Sequence, residues 1–418
     1  MKIRLLLMIS LFSISLLSAD EFVEDETTTL GGYGELHYDM EANDGDGKLD
    51  LHRFIFYIKH QFNANWSLMS EIEIEHNMVY SDGDGGYLAM EQAYLQYASG
   101  NNWGFRGGVL LIPAGITNEF HEPPTFMSVE RPEYNKYIIP TTWFDNGFAF
   151  YGNRGDVNWN FTMTGDLDGD SIGDGIRSAR KKGVYSKTTD WTKTLQLSWA
   201  GIDGLKVGGS VTMNDAPKAD TVTAEADGFW SQEITGGCVD TNGDGVVVED
   251  QAACTAEDAT NSWSAPEVEA VWNNPVAYSR VENGSVGVVL NEFNATYSKN
   301  NIYTRLEYGS IDYTDNSSAN SSSGYYLDLG YNIADLVGCD DSDLYVWTRM
   351  SSYNKDDDDD KTENNINLFG ITYKPADNIA FKLEMGTHEK YADHDNNPTT
   401  DKTMDDADVM RLGLGYMF

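Results

Sequence analysis

Between Trp66 and Asn77 the side chains alternate strictly, with Trp66, Leu68, Ser70, Ile72 and Ile74 on one face and Ser67, Met69, Glu71, Glu73, Glu75 and Asn77 on the other. A period of two belongs to a β-strand with one apolar and one wet face. The segment before it repeats the pattern. Phe54, Phe56 and Ile58 lie opposite Arg53, Tyr57 and Lys59, and Asn63-Ala64-Asn65 joins the two segments as a tight turn.

The same period recurs to the end of the chain. It predicts sixteen strands, near 30–40, 50–62, 66–80, 87–98, 103–115, 147–152, 157–166, 192–200, 205–213, 285–297, 302–313, 324–334, 343–353, 365–374, 379–391 and 407–418. Every second connection is short, and those between are mostly long, polar and rich in Gly and Asp. An even number of antiparallel strands with short turns at one end and long loops at the other describes a 16-stranded antiparallel transmembrane β-barrel, an all-β fold. A soluble sandwich would leave the regular alternation of connection lengths unexplained. The final segment agrees: Met410, Leu412, Leu414, Tyr416 and Phe418 share one face, Arg411, Gly413 and Gly415 take the other, and the sequence stops on the aromatic.

One connection stands apart. After WGFRGGVLLIPAG the chain runs through ITNEFHEPPTFMSVERPEYNKYIIPTTWFDNG, which carries Pro123, Pro124, Pro132 and Pro140, before strand character resumes. A connector this long and this constrained reads as an ordered loop folded onto something, and such loops are usually functional.

Composition narrows the class. The chain has 67 Asp and Glu against 28 Lys and Arg, a net charge of −39, so nucleic acid is an unsuitable partner. Mean hydropathy is −0.45, and no later segment reads as a membrane helix, which leaves a barrel open because alternating strands hide from hydropathy windows. Residues 1–19 have the order of a cleaved signal peptide: Lys2 and Arg4, the apolar run Leu5 to Leu17, then Ser18-Ala19. That run is short of the roughly 20 apolar residues of a spanning helix. Residues 20–418 then form a single barrel domain.

Alternation directs Arg53, Lys59, Glu71, Glu73, Glu75, Arg106, Arg305, Glu307, Arg349, Lys382, Glu384 and Arg411 to the lumen, a nearly balanced lining. The negative charge therefore sits mostly in loops, above all in 214–283, with further runs at Asp356 to Asp360 and Asp393 to Asp408. Such runs usually mean a solvated face. Against that background Arg177-Ser-Ala-Arg180-Lys181-Lys182 is a basic cluster that, folded toward a pore, would attract anions. An exposed basic tip is the other reading.

Asp240, Asn242 and Asp244 with Gly245 match the first half of a calcium loop, with Val246, Glu249 and Asp250 as further ligand candidates, although Gln251 stands where a bidentate Glu is expected. A plain Asp/Gly turn is the competing reading. Cys238 and Cys254 flank the segment at a spacing that permits a disulfide in an exported protein, leaving Cys339 odd. His121-Glu122 lacks the second His of a zinc helix and precedes Pro123-Pro124. The seven histidines are scattered in sequence and suggest no cluster, and no motif nominates an enzyme.

The connector ITNEFHEPPTFMSVERPEYNKYIIPTTWFDNG and the segment Gly173-Asp-Gly-Ile-Arg-Ser-Ala-Arg-Lys-Lys resemble the loops after strands five and seven of porins of the phosphate-selective porin O and P family. The resemblance implies an outer-membrane porin of a Gram-negative bacterium, set in lipid and lipopolysaccharide, a homotrimer passing small solutes. The connector would fold inward as the constriction, with Arg131, Lys136, Arg177, Arg180, Lys181 and Lys182, and the acids Glu122 and Glu130, setting selectivity. Between Asn118 and Asn146 the acids Glu119, Glu122, Glu130, Glu133 and Asp145 outnumber Arg131 and Lys136, which weighs against a phosphate eyelet. A calcium-dependent adhesion barrel with little conductance is the alternative.

Overall fold

The computed structural model describes residues 28–41, 47–76, 86–100, 102–184, 186–225, 229–230, 238–239, 245–246, 262–263, 272–273, 277–339, 341–392 and 403–418. The signal segment, the calcium-loop residues Asp240, Asn242, Asp244, Glu249 and Asp250, and the side chains of Val246, Cys238 and Cys254 lie outside the described residues.

Sixteen strands form a closed barrel in sequence order. They are β1 (Thr28–Glu41), β2 (Lys48–Gln61), β3 (Trp66–Glu75), β4 (Leu88–Ala98), β5 (Trp103–Leu111), β6 (Phe144–Arg154), β7 (Val157–Thr164) and β8 (Thr192–Ile202). The ring continues with β9 (Leu205–Glu225), β10 (Ala277–Lys299), β11 (Ile302–Thr314), β12 (Ser321–Asn332), β13 (Asp343–Asn354), β14 (Glu363–Ala376), β15 (Ile379–Ala392) and β16 (Thr403–Met417). The ring closes where β1 pairs antiparallel with β16, from Tyr33 opposite Met417 to Glu41 opposite Val409. Gly32 and Phe418 exchange backbone hydrogen bonds of 3.0 and 2.9 Å there.

Period-two alternation sorts the faces as the sequence implies. Along β14, Ile366, Leu368 and Thr372 are buried while Phe369, Ile371 and Tyr373 are exposed. In β2 and β3, Arg53, Glu71 and Glu73 are buried and Phe56 is exposed. A closed sheet with polar groups inside and apolar groups out reverses the soluble arrangement and suits a wall bathed in hydrocarbon.

The expected strand limits shift at several places: β9 runs on to Glu225 rather than 213, β10 begins at Ala277 rather than 285 and β16 at Thr403 rather than 407. Three further shifts have a local cause. Strand β5 stops at Leu111, short of 115, since Pro113 has no N–H for the ladder and Gly115 takes φ 73°. Strand β6 starts at Phe144, because Phe144 to Asn146 still pair with Leu111 to Val109. Strand β3 ends at Glu75, where His76 takes φ 50°.

Residues 218–284 form a second compact unit, taken by itself. Besides the ends of β9 and β10, its described pieces are a two-stranded sheet of Phe229–Trp230 with Trp272–Asn273 and a three-stranded sheet of Gly245–Val246, Cys238–Val239 and Ser262–Trp263.

Candidate functional site

The connector between β5 and β6 is built of single turns, Ile116–Glu119, Pro123–Thr125 and Tyr134–Tyr137. Isolated turns this short are marginal, so their order rests on the wall. Lys382 of β15 donates at 2.7 Å to the carbonyls of both Pro123 and Ser128, and Glu384 accepts from the Val129 N–H at 2.7 Å. Thr372 of β14 donates to the Met127 carbonyl at 2.6 Å. On β11, Glu307 accepts from the Ile116 N–H at 2.6 Å and from Asn135 at 2.8 Å, and Arg305 reaches the Thr117 hydroxyl at 3.1 Å. All these wall residues belong to the polar face. Glycine makes room for the approach: a Cβ at Gly415 would collide with Pro123, and one at Gly309 with the Tyr134 hydroxyl.

The connector bounds a cavity of about 410 Å³ toward the long-loop ends of the strands. Arg53, Arg131, Lys136, Arg177, Lys182, Arg349 and Arg411 line it, against the acids Asp39, Glu75, Glu130 and Glu133. Pairing divides the cations. Arg53 binds Glu35 at 2.6 Å, and Arg349 takes Asp328 through two bonds of 2.6 and 2.7 Å. Arg411 reaches Glu384 at 3.1 Å and Asp39 at 3.3 Å. Arg131, Lys136, Arg177 and Lys182 form no ion pair among the described residues. Of the acids, Glu130 holds His37 at 2.7 Å, Glu133 lies 3.6 Å from His388 and Asp39 is taken by Arg411, leaving Glu75.

Charge is also tuned locally. Burial works against the Glu130 carboxylate, but the hydrogen bond and charge of His37, followed by His52 and Arg411, hold it down at about 2. Burial lowers the Lys182 ammonium, and the neighbouring Arg180 lowers it further. The ammonium rests over the Tyr87 ring at 4.8 Å and the Phe144 ring at 5.5 Å, contacts that favour a cation.

The basic run after β7 divides by role. Arg177 and Lys182 line the cavity, whereas Arg180 turns away and donates to the carbonyls of Thr141 at 2.5 Å and Thr142 at 3.2 Å. Burial, followed by the charge of Arg177, brings the Arg180 guanidinium down to about 9. Lys181 pairs with Asp168. Asp166, at the head of this loop, accepts from the Thr189 N–H at 2.5 Å and from Asn214 at 2.9 Å, so it acts as a loop fastener.

The connector's acidic excess dissolves in three dimensions. Glu122 accepts from Tyr57 at 3.3 Å, Glu119 from Gln196 at 2.5 Å and Asp145 from Ser186, all away from the cavity. Other strand cations also face inward without lining it. Arg106 donates to Gln96 at 2.8 Å and stacks on Tyr151, Lys59 sits over Tyr57, and Arg305 donates to Tyr326 at 2.9 Å.

The histidines correct the sequence reading, because three of them cluster. His37 and His52 stack at 5.0 Å between ring centres, His76 meets His52 edge-on at 5.4 Å, and Asp50 joins both His52 and His76. Register on β1 and β2, with the residue that follows β3, brings them together, which spacing in the sequence cannot reveal. A second group, His121 with Glu71 and Glu91, was also missed, since Glu91 carries no motif signal. Burial disfavours the His121 imidazolium, but the facing carboxylates of Glu71 and Glu91, 3.8 and 3.6 Å from Nε2, outweigh burial and raise its pKa well above the usual value.

No family model matches the sequence. A curated protein of Aquifex aeolicus (strain VF5), described as uncharacterized, is 51% identical over 126 residues, and the match spans 29% of that protein's length and 30% of this chain. Among solved structures, the anion-selective porin from Comamonas acidovorans superposes with a TM-score of 0.53 at 9% identity, covering 94% of this chain and 99% of that one. The outer membrane channel DcaP of Acinetobacter baumannii gives 0.52 at 11% identity, with 94% and 97% covered. OmpT, an outer membrane protein of Vibrio cholerae, in its trimer form gives 0.50 at 11% identity, with 94% and 99% covered. At such identities the likeness is one of architecture, and this chain has the fold of the outer-membrane porins.

Proposed function

We propose that this protein is an outer-membrane porin, a water-filled channel through which small hydrophilic solutes diffuse, with the connector at 112–143 folded inward as its constriction and a preference for anions. The observation that carries the preference is the cavity in which Arg131, Lys136, Arg177 and Lys182 form no ion pair among the described residues while the acids, Glu75 excepted, are occupied. Fixed charges in a narrow polar passage act on passing ions, and unpaired ones act most. Small inorganic anions, phosphate among them, are the solute class. The resemblance in the two loops and the fold shared with a protein titled an anion-selective porin support this reading.

The exposed apolar belt would face lipid, the leader at 1–19 would direct export, and a homotrimer is the proposed assembly, as in the trimer form of OmpT. The test is the reversal potential across a planar bilayer under a KCl gradient. Anion preference that weakens when the four residues become Gln is the expected result. A cation preference untouched by those changes overturns it.

A further inference from the structure

We propose that Glu71, Glu91 and His121 form a buried binding site for a divalent transition-metal ion, such as Zn²⁺, that pins the connector to strands β3 and β4.

The wall is irregular at this spot. Glu71 pairs with Gln92 and the next residue, Ile72, pairs with Met90, so Glu91 is an extra residue in β4 with no partner in the ladder. A bulge of this kind re-aims a side chain, and such irregularities gather at functional sites. Regular alternation from Gln92, which hydrogen-bonds the inward Glu71, would turn residue 91 outward toward the exposed apolar face. Instead Glu91 is wholly buried, at 0% exposure, and neither of its carboxylate oxygens has a hydrogen-bond partner among the described residues.

The opposing group is prepared in the way metal-bound imidazoles are. His121 Nδ1 lies 3.0 Å from the Asn118 carbonyl, which can only accept, so Nδ1 carries the hydrogen. Nε2 then presents its other side to the carboxylates, 3.6 Å from Glu91 Oε2 and 3.8 Å from Glu71 Oε1. Nε2, Glu71 Oε1 and both Glu91 oxygens are buried and have no hydrogen-bond partner among the described residues. The 3.6 and 3.8 Å separations leave room for an ion about 2.1 Å from each donor, and all three donors lie within 4.8 Å of one another.

Charge decides between a metal and a proton. Arg53, whose charge reaches Glu91, is engaged by Glu35 at 2.6 Å and Glu73 at 3.4 Å. A proton on Nε2 supplies one positive charge against two buried carboxylates. A divalent ion balances both and leaves the imidazole neutral, and buried charges persist only when compensated. The donor set, one imidazole and two carboxylates, suits Zn²⁺ or a similar ion better than Ca²⁺, which takes oxygen ligands.

The inference does not depend on the conductance reading. The full-length barrel, folded in detergent and stripped with a chelator, is titrated with ZnCl₂ by calorimetry, and bound zinc is counted by mass spectrometry after desalting. His76→Gln is the control for the other histidine group. One tightly held equivalent is expected in the parent and in His76→Gln, with affinity reduced at least about tenfold in Glu91→Gln and in His121→Gln. Co²⁺ should give visible ligand-field bands in the parent that vanish in His121→Gln, a readout independent of stability. Zinc retained equally by Glu91→Gln and His121→Gln, or no equivalent retained by the folded parent, overturns the site.

Discussion

Replacing Arg131, Lys136, Arg177 and Lys182 together by Gln is the sharpest perturbation the cavity allows. A volume of about 410 Å³ sets ions within roughly 6 Å of the lining charges. At that distance one unit charge acts on a monovalent ion by about 0.7 kcal/mol in a water-like medium. Screening at physiological ionic strength, where the Debye length is about 8 Å, halves this to about 0.3 kcal/mol. Four charges act with opposite sign on chloride and potassium, so the permeability ratio shifts by about 2.5 kcal/mol, roughly seventyfold. In 1 M salt the Debye length falls to about 3 Å and the shift shrinks to about threefold. Reversal potentials at both salt concentrations supply the measurement, with open-channel conductance as the check on folding. A conducting quadruple variant whose ratio moves less than about twofold at low salt would refute the electrostatic reasoning.

Further outcomes follow from the same contacts. Asp328→Asn leaves the Arg349 guanidinium buried without its charge partner and should destabilise the barrel by about 3–5 kcal/mol, read as a lowered midpoint in a detergent-urea titration. Lys382→Met removes the donor to the Pro123 and Ser128 carbonyls, costing about 1–3 kcal/mol locally, so single-channel records should gain flicker while the wall stays folded. Glu130 has a depressed carboxyl pKa: its contribution is complete above about 4.5, and it is lost as pH falls toward about 2. Glu130→Gln should therefore loosen the connector to proteolysis at neutral pH and match the parent near pH 2. For 240–251, calcium chelation should speed proteolysis between Cys238 and Cys254, and equal cleavage with and without chelator would count against a calcium loop.

The wall was legible because the strands alternate between a buried face and an exposed, largely apolar face, and each long alternating run gives the period on its own. The ends of β5 and β6 were less so, since Pro113 and the pairing of Phe144 to Asn146 act over one or two residues. Site charges were the least legible. A count along the connector gives an acidic loop, yet Glu119, Glu122 and Asp145 are spent on hydrogen bonds elsewhere. Arg180 and Lys182 are two residues apart in the basic run and do different work, one holding Thr141 and Thr142, the other facing the cavity. Glu91 could not be found at all, because a bulge is a property of two strands in register.

In a ring of sixteen, β3 and β11 stand eight places apart, and one connector reaches both, through His121 near Glu71 and through Ile116 and Asn135 on Glu307. A thin-walled tube is stiff along its length and soft toward flattening into an ellipse. A strut tied to facing sides resists that flattening, so the segment proposed to narrow the passage would also keep its cross-section round.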